Sequence, residues 1–340
     1  MNEKINPYVS IIIVAYNYEE YLPRALHFCK HQTYKNYEMV LVNNGSTDST
    51  GEIIEKFKND NPQLEITIVT IDKNEGLAKG RNAGIIAAKG EYIIFNDADD
   101  WMDENCLQIL VDESDNGKYD RVIGQYRDVS PNGKVLQIRN YHNNIPKWYI
   151  TMIQASLFRR TIFVDNKIKV PKVFYDDYYI STIFNSYISN YKIVQKDIYN
   201  YFINEYSTSG AKSFSDFEKI VKMFYEFIDI NNSVEDRIDY DDRICLNYQM
   251  IKMYYFELLH YNRNRSFKEL KTIHKKLYKI IKSELPDFYD CAKVTFFKDN
   301  GDRFYGRAIT FMLCKADKYK FINILLWIYN FISKFYFFKV

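Results

Sequence analysis

The segment Phe95-Asn96-Asp97-Ala98-Asp99-Asp100 holds three carboxylates and no basic residue. Oxygen donors in that arrangement suit a hard divalent ion, Mg²⁺ or Mn²⁺, which would bridge to a diphosphate and neutralise its charge. A solvated acidic turn before Trp101 reads the same way, but this segment directly follows an apolar run. A second acidic pair, Asp176-Asp177, lies inside the aromatic stretch VFYDDYY. Adjacent acids in unequal surroundings differ in proton affinity, so one of them can serve as a base. The plainer reading is an exposed helix start, where Asp is favoured anyway. A third signal is Asn74-Glu75-Gly76 followed by Gly80-Arg81-Asn82-Ala83-Gly84. It fits neither the GxGxxG nor the GxxxxGK[ST] phosphate loop. Glycines at intervals of four predict one helix face, formed by Gly76, Gly80 and Gly84, packed closely on a sheet. Arg81 on that helix could reach a diphosphate, or could be an ordinary surface arginine.

The elements that position these residues alternate in period. Val9 to Ala15 is a β-branched apolar run and reads as a buried strand. Tyr21 to Gln32 has helical spacing. Met39 to Val42, Ile66 to Ile71 and Tyr92 to Phe95 read as strands, and Gly51 to Phe57 and Leu77 to Ala88 as helices. Such alternation implies a parallel sheet covered on both faces, with ligands outside the carboxyl ends of its strands. That edge comprises Tyr16 and Asn17, Asn43 to Asp48, and Asn96 to Asp100. From about 100 to 205 the pattern is irregular, with Pro131-Asn132-Gly133 a turn between short strands. Beyond about 210 helical periodicity dominates, as in Phe217 to Ile228 and Phe267 to Ile281.

Composition narrows the class. A chain of 340 residues, 47% hydrophobic and 26% charged, can bury a substantial core. The net charge of +2 carries no basic stripe of the kind nucleic acid requires. Five cysteines without ligand spacing suggest reduced thiols and a cytoplasmic setting, and MNEKINPYVS does not read as a secretory signal.

Taken together, the motifs resemble the family 2 glycosyltransferases of GT-A fold. The matching segments are VSIIIVAYNYEEYLPRAL, QTYKNYEMVLVNNGSTDSTGEII, NEGLAKGRNAGIIAAKGEYIIFNDADDWM and, more loosely, LFRRTIF and VPKVFYDDYY. The match is dense over 8–103, patchy to about 209 and absent beyond. The resemblance implies an α/β catalytic domain over 1–210, a mostly parallel Rossmann-like sheet flanked by helices. Residues 211–340 then read as a helical region ending in an apolar, aromatic helix.

The implied activity is inverting transfer of a sugar from a nucleotide sugar, a UDP-sugar first, to a hydroxyl of a glycan or lipid-linked glycan. The implied setting is bacterial surface polysaccharide assembly at the inner membrane face. Ala15, Tyr16, Asn17 and Asn44 would form the base pocket, and Arg81 would sit near the donor. Asp97 would approach the ribose or sugar, Asp99 would ligate Mn²⁺ or Mg²⁺ with Asp97 beside it, and Asp176 would be the catalytic base, with Asp177 the alternative.

Three departures stand out. The family's usual Asp in the VNDGS segment is Asn44, its Glu before the base is Tyr175, and a histidine often found after the base falls around Asn204. No QxxRW is present, so addition of one or few sugars fits better than processive synthesis. Competing classes are a silent GT-A domain that binds a nucleotide sugar or a partner, and a sugar-nucleotide pyrophosphorylase. The latter would want a Gly- and Arg-rich loop where this chain has AYNYEEY. Finally, FINILLWIYNFISKFYFF with flanking lysines suits a helix lying on an anionic membrane, giving peripheral contact through 318–340. Packing into the fold or a dimer is the other expectation.

Overall fold

The computed structural model describes residues 8–143, 145–203, 217–259, 262, 265–286, 288–297 and 304–335. The chain forms two compact units, Met1–Asn143 with Thr151–Glu205, and Asn144–Ile150 with Tyr206–Val340.

In the first unit, β1 (Val9–Ala15), β2 (Tyr37–Asn44), β3 (Glu65–Ile71) and β4 (Tyr92–Phe95) are parallel in the order β3-β2-β1-β4. Their runs are apolar because both faces are covered, so β1 has one side chain short of full burial and β4 none. Helices α1 (Leu22–Lys30), α2 (Thr50–Asn59) and α3 (Leu77–Ala87) connect them. The apolar stripe of α1, Leu22, Ala25, Leu26 and Cys29, is buried, and Leu22, Leu26 and Cys29 share a core with Ile11, Met39, Leu41 and Ile94.

Gly80 and Gly84 lie on the α3 face against the sheet, where a Cβ would stand 2.3 Å from Val14 Cγ1 and 2.4 Å from Ile12 Cγ2 respectively. Gly76 does not share that face. It caps α3 at φ 103°, and a Cβ there would meet only Lys172 at 3.6 Å. Its glycine is needed for backbone conformation, whereas the other two permit close approach. Gly80→Ala should therefore destabilise the protein. Overpacking against the stiff Val14 costs about 2 kcal/mol, and the helix-propensity gain returns only about 1. A lower urea midpoint at unchanged slope is the expected reading.

Past β4 the sheet turns mixed. After β5 (Trp101–Met102) and α4 (Cys106–Asp112) come β6 (Arg121–Val129), β7 (Val135–Arg139), β8 (Ser156–Arg159), α5 (Arg160–Asp165), α6 (Asp176–Asn185) and β9 (Tyr191–Phe202). β8 is antiparallel to β4 and β6, β6 is parallel to β9, and β5 closes the order antiparallel to β9. The predicted turn joins β6 to β7, with Gly133 at φ 78°. The stretch expected to be irregular is thus largely regular. Its pattern was hidden because the β6–β9 register shifts on either side of Gln125, so the inward phase of the strand slips.

The second unit is helical over its described residues: α7 (Phe217–Asn232), α8 (Tyr240–Leu259), α9 (Phe267–Glu284), α10 (Phe288–Phe297), α11 (Phe304–Lys318) and α12 (Ile322–Phe335). α9 begins with a reciprocal capping box between Ser266 and Glu269 and buries Leu270, Ile273, Leu277 and Ile281. α12 would be about 21 Å long at 1.5 Å per residue. Among the described residues no helix is long and apolar enough to cross a membrane. The last part of the expected membrane-contact segment, 336–340, lies outside the described residues, as does Asn204.

Candidate active site

The loops that leave β1 and β2 are clipped together by their own polar side chains. Asn17, in the left-handed region at φ 56°, accepts from the Thr47 N–H at 2.8 Å, and its own N–H donates to Ser46 Oγ at 3.2 Å. Thr50 Oγ1 accepts from the Tyr18 N–H, the Asp48 carboxylate accepts from the Glu19 N–H, and the Glu19 carboxylate accepts from the Ser49 N–H. Ala15 is buried at the end of β1, while Tyr16 beside it is exposed.

Asn44 closes β2 and is buried. Its Nδ2 donates to the Gly76 carbonyl at 3.1 Å, and its Oδ1 is a buried acceptor without a partner. A carbonyl can only accept, so this contact fixes which way the amide points.

Arg81 is the hub of the site. It is not a surface residue: it is 2% exposed, and Nη1 lies 2.5 Å from both Asp176 Oδ2 and Asp177 Oδ1. Nη2 is 3.4 Å from Asp97 Oδ1. Burial opposes its charge, but Asp177, Asp176 and Asp97 together outweigh burial and raise its pKa. The two aspartates occupy the first turn of α6, as expected of a helix start, but they face Arg81 instead of open solvent. Burial pushes Asp176 up to about 7. Arg81 opposes that shift, while Asp177 and Asp97 add to it. Asp97 is likewise raised, chiefly by burial.

The acidic loop is pinned from both sides. The Asp97 N–H donates to Tyr199 Oη at 3.2 Å, and that hydroxyl donates to Asp100 Oδ2 at 3.0 Å. Asp100 Oδ1 accepts from the Phe202 N–H at 2.7 Å. Asp100 is thus spent on holding the loop to β9, and burial raises its pKa well above the carboxylate range. Arg24 of α1 donates to the Asp99 carbonyl at 2.6 Å, with its guanidinium over the rings of Trp101 (4.1 Å) and Phe202 (4.3 Å). Asp99 is only half-buried, and burial first, then the charge of Asp97, lifts it to about 6.

Gln154, just before β8, is 3% exposed and donates through Nε2 to Asp97 Oδ2 at 2.6 Å and Asp177 Oδ2 at 3.3 Å. Neither Gln154 nor Tyr199 belongs to a local motif, and Arg24, although inside the segment VSIIIVAYNYEEYLPRAL, is given no role there.

Arg81, Asp97, Asp176 and Asp177 therefore form one network. Asp99 lies beside it, and Ala15, Tyr16, Asn17 and Asn44 lie along the same carboxyl edge of the sheet. Among the described residues no three His, Cys, Asp or Glu side chains form a closed metal cage. The donor set nevertheless fits a hard divalent ion, which commonly takes one or two carboxylates and completes its shell with substrate phosphates and water. Burial and, after it, the charge of Asp97 disfavour the ionised form of Asp99, and a cation at its carboxylate would favour that form.

A mixed, mostly parallel sheet of this order flanked by helices is the GT-A fold. Among solved structures, that of S. aureus TarS 1–349 in complex with UDP-GlcNAc superposes with a TM-score of 0.67 at 18% identity, covering 93% of this chain and 89% of that one. Residues 10–174 match the family described as Glycosyl transferase family 2. The glycosyltransferase GlyA of Streptococcus pneumoniae is 36% identical over 119 residues, 35% of this chain and 16% of that protein. The putative glycosyltransferase EpsH of Bacillus subtilis is 30% identical over 179 residues, 48% of this chain and 51% of that protein. The chain thus spans from about a sixth to about half the length of these curated relatives.

Proposed function

We propose that the chain transfers a sugar from a UDP-sugar to an acceptor hydroxyl with inversion, in the assembly of a bacterial surface polysaccharide. The observation that carries this reading is the Arg81 network, which holds a carboxylate poised near neutrality, Asp176, in the same cluster as Asp97. Asp176 takes the proton of the acceptor hydroxyl as that oxygen bonds to the anomeric carbon. The bond to the diphosphate breaks on the opposite side, and its electron pair leaves with the nucleoside diphosphate. A Mn²⁺ or Mg²⁺ ion bound at Asp99, with Asp97 beside it, would supply charge neutralisation for that leaving group. Asp177 and Gln154 keep Asp176 and Asp97 in place.

The base pocket supports uridine. The unpartnered Asn44 Oδ1 is an acceptor for the N3–H of uracil, the role the family gives to Asp. The bound UDP-GlcNAc of TarS is in keeping with that choice. The exposed Ile324, Trp327, Ile328 and Phe331 of α12 support peripheral contact with the cytoplasmic membrane face, where a lipid-linked acceptor would be met.

The first test is release of nucleoside diphosphate from UDP-, CDP-, GDP- and TDP-sugars with Mn²⁺ or Mg²⁺. Metal-dependent hydrolysis of a UDP-sugar, lost in Asp99→Asn, is the expected result. Failure of calorimetry to detect binding of any donor would reject the reading in favour of a silent GT-A module.

A further inference from the structure

The helical unit contains a cavity of about 610 Å³ among α9, α10, α11 and the start of α12, a size within the roughly 300–1,000 Å³ of small-molecule sites. His274 and Asp317 lie at its floor, Nε2 to Oδ1 at 2.7 Å, and Asp317 also accepts from the Tyr255 hydroxyl at 2.7 Å. The Asp317 charge is therefore answered inside the protein. Tyr278 and Tyr289 form walls, and Lys282, Lys318 and Lys320 reach the rim from exposed positions.

Among the described residues these three lysines form no ion pair with a carboxylate. Lys318 Nζ instead lies 3.8 Å from the centre of the Tyr289 ring, and Lys282 Nζ lies 5.8 Å from that of Phe288. Among the described lining residues, Asp290 is the one acidic side chain besides Asp317. Lys320 also occupies an unfavourable backbone position. At φ 64° it follows α11 in the left-handed region, where the Phe321 N–H closes onto the Ala316 carbonyl and glycine is the unstrained choice. Lysine there adds a third cation to the lining of the cavity at a position where its backbone is strained.

We propose that this cavity binds a phosphate-bearing ligand, with the phosphate held by Lys282, Lys318 and Lys320 and the remainder set against Tyr278 and Tyr289. The phosphate can belong to a soluble phosphorylated compound or to a lipid headgroup. The site is built wholly within the helical unit and requires nothing of the Arg81 network.

The test uses the full chain in metal-free buffer, with inorganic pyrophosphate followed by calorimetry and phosphatidylglycerol or phosphatidylcholine vesicles followed by co-sedimentation. The comparison variant is Lys318→Ala with Lys320→Gly, whose glycine relieves the backbone, so its melting temperature should hold. Saturable pyrophosphate binding, weakened at least about tenfold in the variant, is the expected result for a soluble ligand. Binding to phosphatidylglycerol vesicles alone, lost in the same variant, identifies a headgroup. Asp99→Asn should bind as the wild type does. Equal binding by wild type and variant, no binding of either probe, or loss of binding in Asp99→Asn would overturn the proposal. Should the double variant unfold, Lys282→Ala near the exposed end of α9 carries the same comparison.

Discussion

Asp176→Asn is expected to lower the rate of sugar transfer by about a thousandfold while leaving UDP-sugar affinity nearly unchanged. The asparagine keeps the shape and can still face Arg81, which retains Asp177 and Asp97 as partners, so the fold should survive. What is lost is the carboxylate of the network that burial lifts to about 7. A base must be deprotonated to act, and burial lifts Asp176 to about 7. kcat/KM should therefore rise with pH up to about 7 and level off above it, and in Asp176→Asn this limb should vanish. Asp177→Asn separates the two acids. It removes a like charge that raises Asp176, so the limb should move to lower pH with activity retained. Turnover at the wild-type rate by Asp176→Asn would transfer the role of base to Asp177.

The second large effect concerns stability. Arg81→Leu should cost about 3–5 kcal/mol near neutral pH, since it leaves Asp97, Asp176 and Asp177 facing one another without a counter-charge. The sign of its pH dependence follows from the same crowding. Burial already raises the folded-state pKa values of Asp97 and Asp176, and Arg81 is the charge that lowers them, so without it the folded variant binds protons more tightly than the unfolded chain. Its stability must then rise as pH falls through those folded values, and urea midpoints at pH 5.5 and 8 should show partial recovery at the lower pH. A variant that is equally weak at both values would mean that packing of the guanidinium, and not its charge, holds the cluster. Lysine is a poor substitute, because one ammonium cannot reproduce the forked contacts Arg81 makes.

Different parts of this architecture were legible to different degrees. Strands β1 to β4 and their helices could be read to within about two residues, because burial on both faces leaves continuous apolar runs such as VSIIIVA and YIIF. β9 could not, because YKIVQKDIYNYF changes phase at its register shift and reads as neither period. Gly80 and Gly84 were readable as a packing face, but Gly76 was misplaced, since spacing alone does not distinguish a cap from a helix interior.

Within the site, acids at strand and helix ends were visible as motifs. Arg81 was named, yet its burial among three carboxylates was not foreseeable, because Asp176 and Asp177 lie 95 and 96 residues away. Gln154, Arg24 and Tyr199 act only through tertiary contacts 57, 75 and 102 residues long, and no local pattern records such contacts.

The longest of these ties bears on how the molecule comes into being at the ribosome. The acidic loop is anchored by Tyr199 and by the Phe202 N–H, each 102 residues downstream of its partner. At about 5–20 residues per second, synthesis supplies those anchors roughly 5–20 s after the loop has emerged. During that interval the nascent chain carries its acidic motif without the strand that shapes it, so the first half of the sheet can assemble well before any catalytic geometry exists.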